Sequence, residues 1–168
     1  MVPLRITGFF LDHERMPVAV LSDPSGLRTL PVWVGPFEAG AIITQLTQVD
    51  EPRPVAHDIL ARHFRRHGFV MDSLEIHAAS DGQGYSACIR YRHHRRRYRM
   101  DVPPSAGLAL AVRLKAPILA ARALLSAAGP QTLAAFLHDP SRGLSLRWAP
   151  EQPADANTDF RLRAEPLN

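Results

Sequence analysis

Residues 30–49 constrain the fold most, because they contain a strand, a sharp turn and a helix with nothing between them. Val32 and Trp33 are β-branched and aromatic, which favours a buried strand. Gly35 permits a tight turn. Pro36 suits the first position of a helix, where its missing N–H is not needed. The stretch therefore predicts a strand that leads directly into a helix.

The predicted helix carries an apolar stripe and a carboxylate near its start. Ile42, Leu46 and Val49 recur at helical spacing, so one face should pack on a core. Glu38 lies in the first turn, where unpaired N–H groups and the positive end of the helix dipole favour a negative charge. Glu38 is therefore either a helix-start charge or a site residue, and the sequence leaves both interpretations open.

The rest of the chain predicts an α+β fold of two halves, each with three strands followed by a helix. The halves should form antiparallel sheet with packed helices. Turn signals separate the predicted strands at residues 2–11, 16–21 and 28–34, and again at 69–78, 85–92 and 96–102. The predicted helices cover residues 36–49, 55–67 and 105–115.

The C-terminal quarter differs in composition from this repeated pattern. Residues 1–128 are predicted as one domain, which ends with a short strand at 118–119 and a short helix at 120–128. Residues 129–168 are predicted as a helical appendage with a helix at 131–138, followed by a loosely held tail rich in Pro, Asp, Ala and Asn.

Charge and cysteine usage limit the partners and the compartment. The formal net charge is +4 and the sequence pI is about 10.0, which favours acidic partners such as nucleic acid. Cys88 is the single cysteine, so no intrachain disulfide can form. No N-terminal segment has the pattern of a signal peptide. Charged residues and a proline interrupt the most apolar region, residues 106–128, so it is not expected to span a membrane. We therefore expect a cytoplasmic protein without membrane association.

An arginine-rich hairpin is the clearest chemical feature. Guanidinium groups match phosphate geometry with paired donors, and the tyrosines between them, Tyr91 and Tyr98, could stack on bases. The other interpretation is an edge hairpin whose charges prevent sheets from pairing with each other. The predicted nucleic-acid-binding residues are Arg90, Arg92, Arg95, Arg96, Arg97 and Arg99.

A histidine and an aspartate near the start of the second predicted helix form a second candidate pair. His57 and Asp58 offer acid–base or metal-ligand chemistry, but Asp58 also lies one helical turn before Arg62, where an ordinary ion pair is expected. Cys88 lies in a predicted strand with no obvious base beside it, so a buried structural thiol is the default. No nucleophile elbow, phosphate-cradling glycine loop or cysteine–histidine zinc spacing occurs, which removes several enzyme classes.

Three blocks, in order, resemble the bifunctional nuclease domain family. They are residues 30–39, 53–60 and 100–111. The resemblance implies an α+β domain that oligomerises and cleavage of both DNA and RNA by some members. The third block departs from the family pattern, because Pro103 and Ala106 stand where an arginine and an aspartate are usual. The chain is thus identified as a divergent member, which has lost either a structural charge pair or part of a site.

The resemblance also suggests which residues to test. The candidates for catalysis are Glu38, His57, Asp58 and Asp101, and the carboxylates of Glu38, Asp58 and Asp101 are the candidate ligands for Mg²⁺ or Mn²⁺. The expected function is nucleic-acid binding with weak, metal-dependent cleavage, in a homodimer. The alternative is a non-catalytic interaction or regulatory protein with the same fold. Convergence of the three carboxylates in a cleft would favour the enzyme. Scattered carboxylates, or carboxylates that each pair with an arginine of their own, would favour the alternative.

Overall fold

The computed structural model describes residues 1–12, 14–49, 54–80 and 84–127. The predicted appendage at 129–168, with its helix at 131–138, lies outside the described residues. The described elements in chain order are β1 Val2–Leu11, β2 Pro17–Ser22, β3 Thr29–Trp33, α1 Pro36–Thr47, α2 Ala56–Arg66, β4 Phe69–Ala78, β5 Tyr85–His93, β6 Arg96–Val102, α3 Pro104–Leu114, β7 Ile118–Ala120 and α4 Arg122–Ala127.

The strands form one seven-stranded sheet in the order β3-β2-β1-β7-β4-β5-β6. Two antiparallel meanders, β1–β3 and β4–β6, are joined by the short strand β7. β7 pairs antiparallel with β1 and parallel with β4, because the chain returns to the sheet after α3. The predicted α+β class is confirmed, and so is the meander of β4, β5 and β6 with a helix packed on the sheet.

One face of the sheet is apolar and is covered by helices. Leu74, Ile76 and Ile89 are fully buried there, together with Leu108 from α3. Gly107 permits this close approach, since a Cβ at that position would lie 2.5 Å from a methyl carbon of Leu74. Helix α3 is buried over most of its length, as its nearly continuous apolar sequence predicts. None of the described helices is both long and apolar enough to cross a membrane.

The opposite face of β4, β5 and β6 is charged, because successive side chains of a strand point to opposite sides of a sheet. The strand register places Glu75 beside Cys88, Cys88 beside Asp101, Arg90 beside Arg99 and Arg92 beside Arg97. We call this surface the arginine face. It consists of Glu75, His77, Cys88, Arg90, Arg92, Arg97, Arg99 and Asp101.

Candidate functional site

The β5–β6 hairpin presents all six predicted arginines to solvent. His93 pairs with Arg96, so the connecting turn contains only His94 and Arg95. His94 adopts a left-handed backbone conformation with φ of 53°, as tight hairpin turns require. The hairpin is therefore a tightly closed ribbon at the edge of the sheet, with β5 paired to β4 along its length and β6 as the edge strand.

The register divides the arginines, which the sequence suggested as one cluster, between the two faces of this ribbon. Two like-charged pairs face each other on the arginine face, Arg90 with Arg99 and Arg92 with Arg97. Like charges directly opposite each other are unfavourable unless counter-charges or bound anions offset them. Arg96 alternates to the other face, and Arg95 occupies the turn.

Three of the six arginines form ion pairs with carboxylates. Arg90 Nε donates to Glu75 Oε1 at 2.5 Å, Arg92 pairs with Asp72, and Arg99 Nη2 lies 3.1 Å from Asp101 Oδ1. These three pairs therefore offset part of the repulsion between the strands.

The other three arginines are consecutive in the chain. Arg95, Arg96 and Arg97 have no carboxylate partner among the residues that the structure describes. These guanidinium groups at the tip of the hairpin are available for an external anion.

An open depression lies at the tip of the hairpin. Its volume is about 570 Å³, and it is widely open to solvent. Its lining residues are His93, His94, Arg95, Arg96 and Tyr98. Two free guanidinium groups thus share one concave surface with an aromatic ring.

The two predicted base-stacking tyrosines are not equivalent. Their rings stack with centroids 5.1 Å apart and an angle of 17° between planes. Tyr91 is half-buried against Phe64 and Phe69, whereas Tyr98 is 38% exposed on the edge strand. Tyr98 is therefore the tyrosine that a base can reach, and Tyr91 supports it from behind.

Asp58 is held by a distant arginine rather than by its helical neighbour. Arg113 is only 3% exposed, and its Nε donates to Asp58 Oδ1 at 2.5 Å. The backbone N–H of Val55 donates to Asp58 Oδ2 at 3.0 Å, which satisfies the start of α2. Partial burial raises the pKa of Asp58, but the hydrogen bonds from Arg113 and Val55 outweigh this effect, so the pKa lies below its usual value. The expected partner, Arg62, contributes only a weaker long-range attraction.

The remaining candidate residues lie in different surroundings. Asp101 has an 80% exposed side chain on the arginine face, paired with Arg99. The half-buried Glu38 folds its carboxylate back over Gly35, where a Cβ would overlap it. His57 is half-buried near the start of α2. Glu38 thus packs over its own turn, which agrees with the interpretation that it is a charge at the start of a helix.

The structure does not bring the three predicted metal ligands together. In the described part of the chain, one set of three His, Cys, Asp or Glu side chains has its ligand atoms within 4.8 Å of one another, and it is Glu75, His77 and Cys88. Glu38, Asp58 and Asp101 do not meet, because α1, α2 and the edge strand β6 hold them in different places. A shared metal site within one chain does not fit this geometry, and Asp58 and Asp101 each pair with an arginine of their own. By the criterion of convergence, this arrangement favours the non-catalytic alternative, and the catalytic roles stay predictions.

The expectation that Cys88 has no base beside it was wrong. Cys88 is buried, as expected, but its Sγ lies 3.8 Å from Glu75 Oε2, and His77 Nε2 lies 3.7 Å from the same oxygen. The sequence does indicate that Glu75 and His77 are neighbours, because they are two residues apart on one strand and therefore share a face of the sheet. The position of Cys88 opposite them depends on strand register.

Comparison with known proteins gives a family and two relatives. The family model described as bifunctional nuclease domain matches residues 19–132. Uncharacterized proteins from two strains of Mycobacterium tuberculosis are each 30% identical over 130 residues, which is 77% of this chain and 77% of each relative. The names of these relatives state no activity. The family match includes the three motif blocks and every residue of the arginine face.

Proposed function

The chain belongs to the bifunctional nuclease domain family, and we propose that it is a nucleic-acid-binding member that contacts the phosphate backbone through the β5–β6 hairpin. One observation carries the proposal: Arg95, Arg96 and Arg97 are consecutive, exposed and without a carboxylate partner in the described residues, beside the exposed ring of Tyr98. Arginine forks bind phosphate with paired hydrogen bonds. We place this function in the cytoplasm, where the single cysteine stays reduced.

Phosphate contacts explain why the hairpin tolerates so much like charge. Arg92 and Arg97 face each other across the strands, and of the two only Arg92 has a counter-charge among the described residues, from Asp72. A polyanion lying along the hairpin would offset the remaining repulsion. Contacts of this kind fix affinity rather than sequence preference, so we expect binding to many sequences.

The test is a salt titration with labelled single-stranded and duplex oligonucleotides. If three to six arginines contact phosphates, the logarithm of the duplex binding constant should fall against the logarithm of salt concentration with a slope of about −2.7 to −5.4. An uncharged-backbone oligonucleotide of the same sequence is the control and should bind weakly. Salt-independent binding would contradict the proposal. Absence of binding would favour the alternative, in which the charges on the edge strand β6 only prevent sheets from pairing with each other.

A second candidate function is weak phosphodiester cleavage that depends on Mg²⁺ or Mn²⁺. Family membership favours it, and Asp101 is a predicted catalytic residue exposed on the arginine face, beside Arg99. Asp58 is held against the buried Arg113 and Glu38 lies over its own turn, whereas the Asp101 side chain is 80% exposed and can reach a substrate. Among the described residues, no contact assigns a role to His57. Asp101 is therefore the candidate that we propose first for catalysis.

We expect chelation of divalent metal to abolish any cleavage, and Asp101→Asn to remove most of it. A carboxylate that binds a hard cation loses this capacity when it becomes an amide. The measurement is cleavage of single-stranded and duplex substrates with and without chelator. Glu14→Gln, an exposed acid in the turn between β1 and β2, is the matched control. Full activity in Asp101→Asn would eliminate this role.

Absence of cleavage by clean protein would favour the non-catalytic alternative. The departures from the family pattern, Pro103 and Ala106, lie at the N-cap and at the third residue of α3. Positions three apart at a helix start are neighbours in space, so the missing arginine and aspartate would lie close together. This geometry supports the interpretation that they formed a charge pair with each other, whose joint loss is structural.

We also propose that the protein forms a homodimer. Several large apolar side chains are exposed on one chain, among them Phe37 at 90%, Leu27 at 76% and Ile59 at 59%. A second copy of the chain would remove such side chains from water, and the family resemblance also implies self-association. Light scattering at micromolar concentration should give twice the chain mass of 18.6 kDa. A single species at the chain mass would contradict the proposal.

A further inference from the structure

The arginine face contains three side chains of different metal-ligand types in direct contact. Glu75 and His77 point to the same side of β4, and Cys88 lies opposite Glu75 on β5. The Cys88 Sγ and Glu75 Oε2 atoms are 3.8 Å apart, and His77 Nε2 and Glu75 Oε2 are 3.7 Å apart. A thiolate, an imidazole and a carboxylate thus converge around one small volume.

These separations are close to those in a tetrahedral zinc site. With usual zinc bond lengths, a thiolate sulfur and a carboxylate oxygen lie about 3.6 Å apart, and an imidazole nitrogen and a carboxylate oxygen about 3.4 Å apart. We propose that Glu75 Oε2, His77 Nε2 and Cys88 Sγ bind a first-row transition metal ion, with Zn²⁺ as the best match. The two observed distances to Glu75 Oε2 exceed the ideal ones by a few tenths of an ångström, and the ligand atoms of His77 and Cys88 lie within 4.8 Å of each other.

The surroundings of the three side chains suit a preorganised site. Glu75 is 8% exposed and Cys88 is 1% exposed, so the strands fix both side chains. Arg90 Nε donates to Glu75 Oε1, which orients the carboxylate and leaves Oε2 for the metal. His77 is 39% exposed and provides the route by which an ion enters.

Charge determines which metal the site can hold. Burial raises the pKa of the Cys88 thiol, although Arg99 and Arg90 partly oppose this effect, so the metal must displace the thiol proton to solvent. The thiolate and the carboxylate then supply two negative charges to a divalent ion. Mg²⁺ and Ca²⁺ bind poorly to sulfur and nitrogen, whereas Zn²⁺ accepts both.

Three protein ligands leave the fourth zinc position to water or to an external ligand. Arg90 and Arg99 flank the cluster, and Asp101 is the cross-strand neighbour of Cys88. A phosphate oxygen is the chemical class of ligand that a metal ion and two guanidinium groups would share. This last step rests on the proposed nucleic-acid function, whereas metal binding itself does not.

The test measures metal binding directly by the full-length, reduced, metal-free protein. Competition with a chromophoric zinc indicator should give one equivalent of Zn²⁺ per chain, and the Co²⁺ derivative should show a thiolate-to-cobalt absorption band. His77→Gln and Cys88→Ser should each weaken Zn²⁺ binding by at least roughly 100-fold, since even loss of a partner outside the ligand shell costs about 10- to 100-fold. His63→Gln, on the exposed side of α2, is the control and should bind like wild type.

Several results would overturn the site. They are no Zn²⁺ binding by wild type, a Co²⁺ spectrum without the thiolate band, or unchanged affinity in both cluster variants. His77 is partly exposed, so His77→Gln should keep the fold even if Cys88→Ser does not, and thermal unfolding of the metal-free variants checks this. Zinc binding without nucleic-acid binding would support the metal site and refute the proposed function.

Discussion

Replacing Arg95, Arg96 and Arg97 together with glutamine should weaken duplex binding roughly 10²-fold or more at about 0.1 M salt. The salt slope should become shallower by about 2.7, because three fewer phosphates would release their counterions. The three side chains are exposed and form no described ion pair, so their loss should leave the fold intact. The measurement is a salt titration of wild type and variant side by side.

A triple variant with the same loss of charge elsewhere is the matched control. Arg5, Arg15 and Arg28 are exposed and lie in the β1–β3 meander, which β7 and β4 separate from the hairpin. Their replacement with glutamine should change the slope much less. Equal effects in both variants would show that only net charge matters, and an unchanged slope in the hairpin variant would identify the hairpin as edge protection alone.

The sequence predicted the elements well because their signals are local. The β5–β6 turn, for example, is predicted at residues 93–95 from polar side chains between two β-rich runs, and the observed turn contains two of these residues, His94 and Arg95. No distant contact is needed to place it. The joining strand β7 is different. Its three residues pair with β1 and β4, far away in the chain, so its place between the two meanders is set by the packing of α3.

The cluster of Glu75, His77 and Cys88 shows why contacts between side chains were harder to predict than the elements. The register of β4 against β5 shifts between Met71 and Ser73. Without this bulge Glu75 would oppose Ala87, and Cys88 would be paired with the core residue Leu74. A shift of one residue moves a side chain to the other face of a sheet. The sequence contained no clear signal for the bulge, so the contact between Glu75 and Cys88 was not predictable.

Asp58 illustrates the same limit for a helix. The spacing of residues along one helix predicted Arg62, four residues after Asp58, as the partner of Asp58. This spacing rule takes no account of residues on other helices. The observed partner, Arg113, is 55 residues further along the chain, on α3. Arg113 also donates to the carbonyl oxygen of Ala41 at 3.0 Å, so one buried guanidinium group connects three helices. The role of Asp58 is therefore visible only once the helices are packed.

Replacing Asp58 with alanine should lower the free energy of unfolding by about 3 kcal/mol, the lower end of the range for a broken buried ion pair. The lower end applies because the Asp58 side chain is 24% exposed, whereas Arg113 is 3% exposed. The variant leaves the guanidinium group of Arg113 buried without its counter-charge, and the N–H of Val55 loses its acceptor. Denaturant unfolding, followed by circular dichroism, measures the change.

Two further variants separate the ion pair from other effects. Asp101→Ala, which removes a carboxylate from the exposed pair with Arg99, should leave the unfolding free energy nearly unchanged. The double variant Asp58→Leu with Arg113→Met should recover much of the lost stability, since hydrophobic replacements of both partners remove the buried charge. A double variant no more stable than Asp58→Ala would contradict the view that the unpaired arginine causes the loss.

The pH dependence of stability is a second test of the contact between Asp58 and Arg113. The pKa of Asp58 is lower in the folded protein than its usual value of 3.8, so the folded state binds this proton more weakly than the unfolded chain. The stabilisation is therefore complete above the unfolded pKa and is lost as the pH falls through the lower folded pKa. Asp58→Asn should flatten the acid limb of the stability curve below about pH 4. An acid limb identical to that of wild type would show that the contact with Arg113 does not set the pKa of Asp58.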